Sequence, residues 1–147
     1  MKIKYPAVIV ATLAHYILGG LWYSVLFGKK FIELINWTPE QLRQVESQSH
    51  TKELVLAFVM SLVLVYVLAH FVNYTKATSA LAGIQTAFWI WLGFVVTTQA
   101  PTVIFEGRSF GLFAINVAYQ LVGCAIAGAI LAIWRTQEAT APAAQPA

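Results

Sequence analysis

Residues 54–74 read LVLAFVMSLVLVYVLAHFVNY, a run with no Asp, Glu, Lys or Arg. A hydrocarbon core of about 30 Å needs about 20 helical residues at 1.5 Å rise, so this run alone can cross a bilayer. Three others resemble it: Tyr5–Phe27, Ala77–Ala100 and Phe110–Trp134. All nine Lys and Arg and all six Glu lie outside the four runs, and Asp is absent. The pattern predicts an all-α integral membrane bundle of four transmembrane helices.

Composition agrees. The chain is 59% hydrophobic and 10% charged, with a mean hydropathy of +0.71, whereas soluble domains carry about 25% charged residues. Four spans and their connections occupy 1–135, leaving no room for a second folded domain. The basic residues stand singly or in pairs, as membrane-flanking anchors do. No nucleic-acid partner is expected, and the first partner is the lipid bilayer. Lys2 and Lys4 resemble the start of a signal peptide. The apolar run is too long for one and leads into Trp22-Tyr23-Ser24 instead of a small-residue cleavage site, so it reads as a retained helix. Residues 136–147 are rich in Ala, Pro and Gln and read as a disordered tail. The single Cys124 excludes an intrachain disulfide.

The connections set the architecture. Spans two and three are separated by about Thr75–Lys76, which predicts a tight hairpin. Pro101 is expected to end the third helix, with Glu106-Gly107-Arg108 as a turn and Ser109 as cap of the fourth. In the longest loop, 28–53, Thr38-Pro39-Glu40-Gln41 is a helix start with a capping-box spacing. Leu42 and Val45, with Phe31, Leu34, Ile35 and Trp37 upstream, predict an interfacial helix on the membrane surface. Basic residues divide almost evenly between the two ends of the bundle, so the positive-inside rule does not orient it. Five of the six Glu lie opposite the termini, and on that ground the termini are expected in the cytoplasm.

With no ionisable carboxylate, Lys or Arg in the spans, coupled ion transport lacks its usual charged residue. The titratable candidates are His15, mid-span in the first helix, and His70, near the end of the second. Thr12, Gly19 and Trp22 share the face of His15. On the fourth helix Asn116, Gln120 and Cys124 recur every four residues, with Tyr119 beside them, and Gln85, Thr86, Thr97, Thr98 and Gln99 offer partners on the third. His15, Trp22, Gln85, Asn116, Tyr119 and Gln120 are thus the candidate polar interior: either interhelical packing contacts, the commoner role, or a pocket for a small neutral molecule. Trp22, Tyr23, Trp37, Tyr74 and Trp134 read as interfacial anchors. Trp89 and Trp91 fall mid-span, where an indole N–H seeks an acceptor such as Asn116 or Gln120. Small residues four apart, Gly123 with Ala127, Cys124 with Gly128 and Gly128 with Ala132, allow close helix approach within the bundle or between subunits.

Trp22-Tyr23-Ser24 followed by Phe27-Gly28-Lys29, with Gly19-Gly20 before and Thr38-Pro39-Glu40-Gln41-Leu42 after, resembles the family catalogued as domain of unknown function 1761. Phe105-Glu106-Gly107-Arg108-Ser109, continuing to Ile115-Asn116 and Tyr119, is similar to the same family. The resemblance runs from about Tyr5 to Trp134 and implies a small bacterial-type four-helix membrane protein. It implies no reaction, ligand or catalytic residue.

Motifs for metal, phosphate or acyl-transfer chemistry are missing, so no catalytic residue, metal or cofactor is expected and the chain reads as a non-enzyme. The leading expectation is a binding or assembly subunit, with a second copy or another membrane protein as partner. The alternative is an oligomeric carrier of a small neutral molecule that uses the polar interior. A membrane enzyme, or a heme or metal role for His15 and His70, is remote.

Overall fold

A computed structural model describes residues 3–139. Four helical spans, Tyr5–Leu26, Thr51–Tyr74, Ala80–Ile104 and Phe110–Arg135, are long and apolar enough to cross a membrane. Their outer surfaces carry large apolar side chains such as Val25, Leu81 and Phe94. The protein is an integral membrane protein built as an all-α four-helix bundle.

The first span is α1 (Tyr5–Leu21) continued by a π-helical turn, Trp22–Leu26. The loop that follows folds as two short helices, α2 (Gly28–Ile35) and α3 (Pro39–Ser47). One interfacial helix was expected there. Asn36, with φ 58°, breaks it in two, because left-handed backbone ends a helix and Asn is among the few residues that tolerate it. The Thr38 capping box forms as its spacing predicts: Gln41 N–H donates to Thr38 Oγ1, and Thr38 N–H donates to Gln41 Oε1.

The second span is α4 (Thr51–Tyr74). The third starts later than its apolar run suggests. Ser79 accepts from Ala82 N–H and so caps α5 (Ala80–Ile90), an acceptor that no residue at 76 or 77 would provide, so the hairpin connection is 75–79. A second π-helical turn, Trp91–Val96, leads into α6 (Thr97–Ile104). Pro101 lies inside α6 and does not end it. It removes one hydrogen bond near a helix end, and the chain turns only past Phe105, where Gly107 takes φ 65°. Ser109 Oγ then accepts from Gly111 N–H at the start of α7 (Phe110–Ala139). The last helix therefore continues four residues into the segment expected to be a tail. Residues 140–147, the rest of that segment, lie outside the described residues.

α7 is the hub. It packs against α1, α4 and α5, and 44% of its central window is buried against 17% for the third span. Its small residues are used inside the chain. A Cβ on Gly83 of α5 would sit 2.1 Å from Gly128 O, and one on Gly128 would sit 2.5 Å from Gly83 O. These glycines let the two backbones touch. Around them Ala7, Ala11, Val65, Ala87, Ala127 and Ala132 form a tight cluster that fills the half of the bundle nearer the termini. Arg135 Nη1 donates to Ala77 O and ties the end of α7 to the α4–α5 hairpin.

The other half is looser. Trp22, Ile115 and Tyr119 form a second, aromatic cluster backed by Phe27, Phe31 and Leu34. On its α4 side the bundle opens: residues 51–60 of α4 are all exposed except half-buried Phe58, whereas Ser61, Val65 and Leu68 are buried. A wedge lies there between α1, α4 and α7, and Phe58 still meets Tyr16 of α1 edge-on, with ring centres 5.5 Å apart.

Candidate functional site

The wedge holds a cavity of about 500 Å³, within the size range of small-molecule sites. Its wall is mostly apolar, with Ile17, Leu54, Met60 and Leu64 among the lining residues, and its floor is polar: His15, Ser61, Tyr119 and Gln120. It lies between the aliphatic and aromatic clusters, about halfway along the spans.

Two glycines seat the rings that make the floor. A Cβ on Gly123 would lie 2.6 Å from His15 Cδ2 and 2.9 Å from its Nε2, and a Cβ on Gly19 would lie 2.8 Å from Tyr119 Oη. Each helix thus contributes a ring and, four residues on, the notch for the other's ring. The antiparallel run of α1 against α7 makes the two pairs meet. The rings sit 5.1 Å apart, centre to centre. Gly20, next to Gly19, behaves oppositely, since a Cβ there would meet nothing within 4 Å.

His15 is buried and its Nδ1 lies 3.1 Å from Ser61 Oγ and 3.2 Å from Tyr119 Oη. Tyr119 O–H also reaches the His15 backbone carbonyl at 3.3 Å. Each hydroxyl has one proton. Two arrangements satisfy these contacts: Ser61 or Tyr119 donates to an unprotonated Nδ1, or a protonated Nδ1 donates to one of the two hydroxyls. Gln120 is near enough to interact with the imidazole. Yet among the described residues His15 Nε2 and Gln120 Oε1 are the buried side-chain polar atoms without a hydrogen-bond partner. Neither atom is open to a water-sized molecule, and His15 Nε2 lies against the Gly123 notch.

A serine bonded to a histidine also suggests nucleophilic catalysis. Ser61 stands mid-way along α4, where the neighbouring backbone N–H groups are committed to the helix. His70 lies nine residues beyond Ser61 on α4, about 14 Å along the axis, and so away from His15. His70 instead meets Tyr66 edge-on and lies near Tyr74.

Of the candidate polar interior, His15, Tyr119 and Gln120 come together. Trp22 and Asn116 lie beside the site but not in it. Trp22 is buried, not an interfacial anchor, and donates its indole N–H to Ile115 O at 3.1 Å. Tyr23 likewise turns inward and donates to Asn116 Oδ1 at 2.7 Å. Asn116 faces a smaller cavity of about 220 Å³ shared with Phe31, Gln99 and Arg108. Gln85 is elsewhere: it is exposed on α5, in a groove with Phe71, Trp89 and Phe94. Thr97 and Thr98 bond to carbonyls of their own helix, so they are not partners for Asn116 or Gln120. Trp91 donates to Val117 O at 2.7 Å, while Trp89 faces outward. The two π-helical turns begin at Trp22 and Trp91, and both indoles grip carbonyls of one α7 segment. π-turns often occur at functional sites, and here they aim rings at the central helix.

Ser61, Tyr23 and Gly20 are site residues that sequence reasoning passed over. Ser61 had a signal, as a lone hydroxyl within an aliphatic run. Gly20 had none that separates it from Gly19.

The family described as "Protein of unknown function (DUF1761)" matches residues 6–132. The chain belongs to this family. The match takes in nearly the whole of the four spans of the DUF1761 chain and every lining residue of the wedge. No curated protein and no solved structure matches it.

Proposed function

We propose that the protein acts by binding a small neutral molecule in the wedge, and not by catalysis. The observation that carries this reading is the cavity of about 500 Å³ with four polar residues, His15, Ser61, Tyr119 and Gln120, in an otherwise mostly apolar lining at mid-span. Pockets for small molecules combine an apolar wall with a few convergent polar groups in this way. The ligand is neutral because no charged side chain lies within the spans to offset a charge.

Binding fits better than transport. On the terminal side of His15, Ala11, Val65 and Ala127 are fully buried and close the bundle, so a carrier cycle would require that half to open. Native mass spectrometry from mild detergent tests the binding reading. A discrete retained mass is expected in the wild type and is expected to vanish in Gly20→Leu, which fills the wedge without touching the packed helices. Wild-type protein carrying only heterogeneous lipid would refute it.

Exposed Gln85 favours a second reading, assembly with another copy or another membrane protein across the α5 face. A side-chain amide turned toward hydrocarbon gains from a partner. The single native cysteine, Cys124, is buried, so Gln85→Cys reports directly: crosslinked dimer in membranes supports the contact and monomer alone sinks it. We place the protein in a bacterial inner membrane with cytoplasmic termini, on the family resemblance and on the Glu excess at the opposite end. Reporter fusions at the Arg108 loop and the C-terminus check this, and a cytoplasmic loop would reverse it.

A further inference from the structure

Resting on the binding reading above, we infer that the wedge is fed from the bilayer. Its ligand is an uncharged lipophile that enters sideways, and Tyr23 seals the site from the loop-end surface. Access decides the source. On the terminal side Ala11, Val65 and Ala127 are fully buried and fill the bundle. Toward the loop end Tyr23, in the π-helical turn Trp22–Leu26, stands across the path. Its ring packs edge-on against Tyr119 at 5.3 Å and Phe31 at 5.1 Å, centre to centre, and its O–H donates to Asn116 Oδ1 at 2.7 Å. Tyr23 and Tyr119 line the wedge. Phe31 and Asn116 line the smaller cavity of about 220 Å³, whose rim includes exposed Arg108. One ring therefore separates the two cavities. The side facing the lipid is open: Ile17, Leu54 and Met60 line the wedge and are more than half exposed on the outer surface of the spans.

The lining decides the class. Leu54 stands three residues from the start of α4 and Ser61 seven residues further, about 10 Å deeper at 1.5 Å per residue. Over that depth the lining passes from Leu54 and Ala57 to His15, Ser61, Tyr119 and Gln120. Polarity thus rises toward mid-span, whereas in the bilayer around it polarity falls. A phospholipid acyl chain would set its terminal methyl against the polar floor and gain nothing there. A molecule that carries a polar group down to mid-depth, with an apolar body above it, matches the gradient. No Lys, Arg, Asp or Glu lines the wedge, so a charged ligand would lie uncompensated at that depth. The volume of about 500 Å³ suits a molecule far smaller than a phospholipid.

The test applies two photoreactive probes to the full-length protein in liposomes: 3-azioctanol, which dissolves in the bilayer, and a short diazirine diol, which stays in the water on both faces. Mass spectrometry reads the labelled residues. Azioctanol is expected to label the floor residues Ser61, Tyr119 and Gln120 saturably, in competition with octanol, and to lose that labelling in Gly20→Leu. The diol is expected to reach Phe31 and Phe113 in the smaller cavity and to leave the floor unlabelled. Tyr23→Ala is expected to admit the diol to the floor, and Tyr23→Phe, which keeps the ring, to exclude it. Azioctanol labelling retained at the floor of Tyr23→Ala shows that the variant is folded; if it is not, Asn116→Ala, which frees the ring, reads the same seal. Diol labelling of the wild-type floor would overturn the lipid route and leave the binding reading standing. A diol still excluded when the seal is broken in a folded variant would overturn the role of Tyr23. No saturable floor labelling by either probe would overturn both the route and the binding reading.

Discussion

Replacing Gly83 by Ala tests the close packing of α5 on α7. The new Cβ would lie 2.1 Å from Gly128 O, 2.7 Å from Gly128 C and 2.8 Å from Ala132 Cβ. Two of the three obstacles are backbone, so no rotamer change relieves them. α5 must move from α7 by about 1 Å, and the contacts along Gly83, Ala87, Gly128 and Ala132 thin together, because dispersion falls steeply with separation. Overpacking costs typically about 1–3 kcal/mol, and a backbone obstacle puts this case at about 3 kcal/mol. Gly20→Ala is the matched control. It meets nothing within 4 Å and, by helix propensity, should be neutral or stabilising by up to about 1 kcal/mol. Reversible unfolding in mixed micelles, titrated with a denaturing detergent, measures both. If the two variants unfold within about 0.5 kcal/mol of each other, the helices do not touch at Gly83 and the close-packed half is wrong.

Other consequences are equally specific. Gly123→Ala puts a methyl 2.6 Å from His15 Cδ2, so the imidazole should leave its notch and the Nδ1 resonance should lose its bonded character. An unchanged histidine spectrum would exclude the notch. Trp91→Phe should cost about 1 kcal/mol by deleting the bond to Val117 O, whereas Trp89→Phe, at an outward-facing site, should cost little. Equal effects of the two would refute the inward assignment. Thr38→Ala removes one half of the capping box, worth about 1 kcal/mol locally. Hydrogen exchange should speed up at the start of α3 and not in the spans, and faster exchange throughout would contradict a local role.

Legibility followed the physics of each signal. Span number was plain, because a run such as Leu54–Tyr74 has no charge to place in hydrocarbon and few alternatives to a helix. The caps at Thr38 and Ser109 were legible because they are satisfied within a few residues of chain. Ser79 was hidden inside an apolar run, and Pro101 broke less than expected because it removes one bond near a helix end. Trp22 and Tyr23 were misplaced for a different reason. Depth along a helix can be counted from sequence, but the direction of a ring past a π-turn depends on the extra residue that the turn inserts. The polar floor was half legible: His15, Tyr119 and Gln120 announced themselves, while Ser61 and the opening beside α4 depend on which helices become neighbours. Periodicity placed Asn116, Gln120 and Cys124 on one face, yet only Gln120 reaches the wedge. Tyr23 takes Asn116, and Cys124 is in the core.

The most direct measurement is a crystal structure grown from lipidic mesophase, using protein purified from its native membrane. The account predicts discrete density in the wedge against its polar residues, His15, Ser61, Tyr119 and Gln120. A wedge that holds nothing but acyl chain would contradict it.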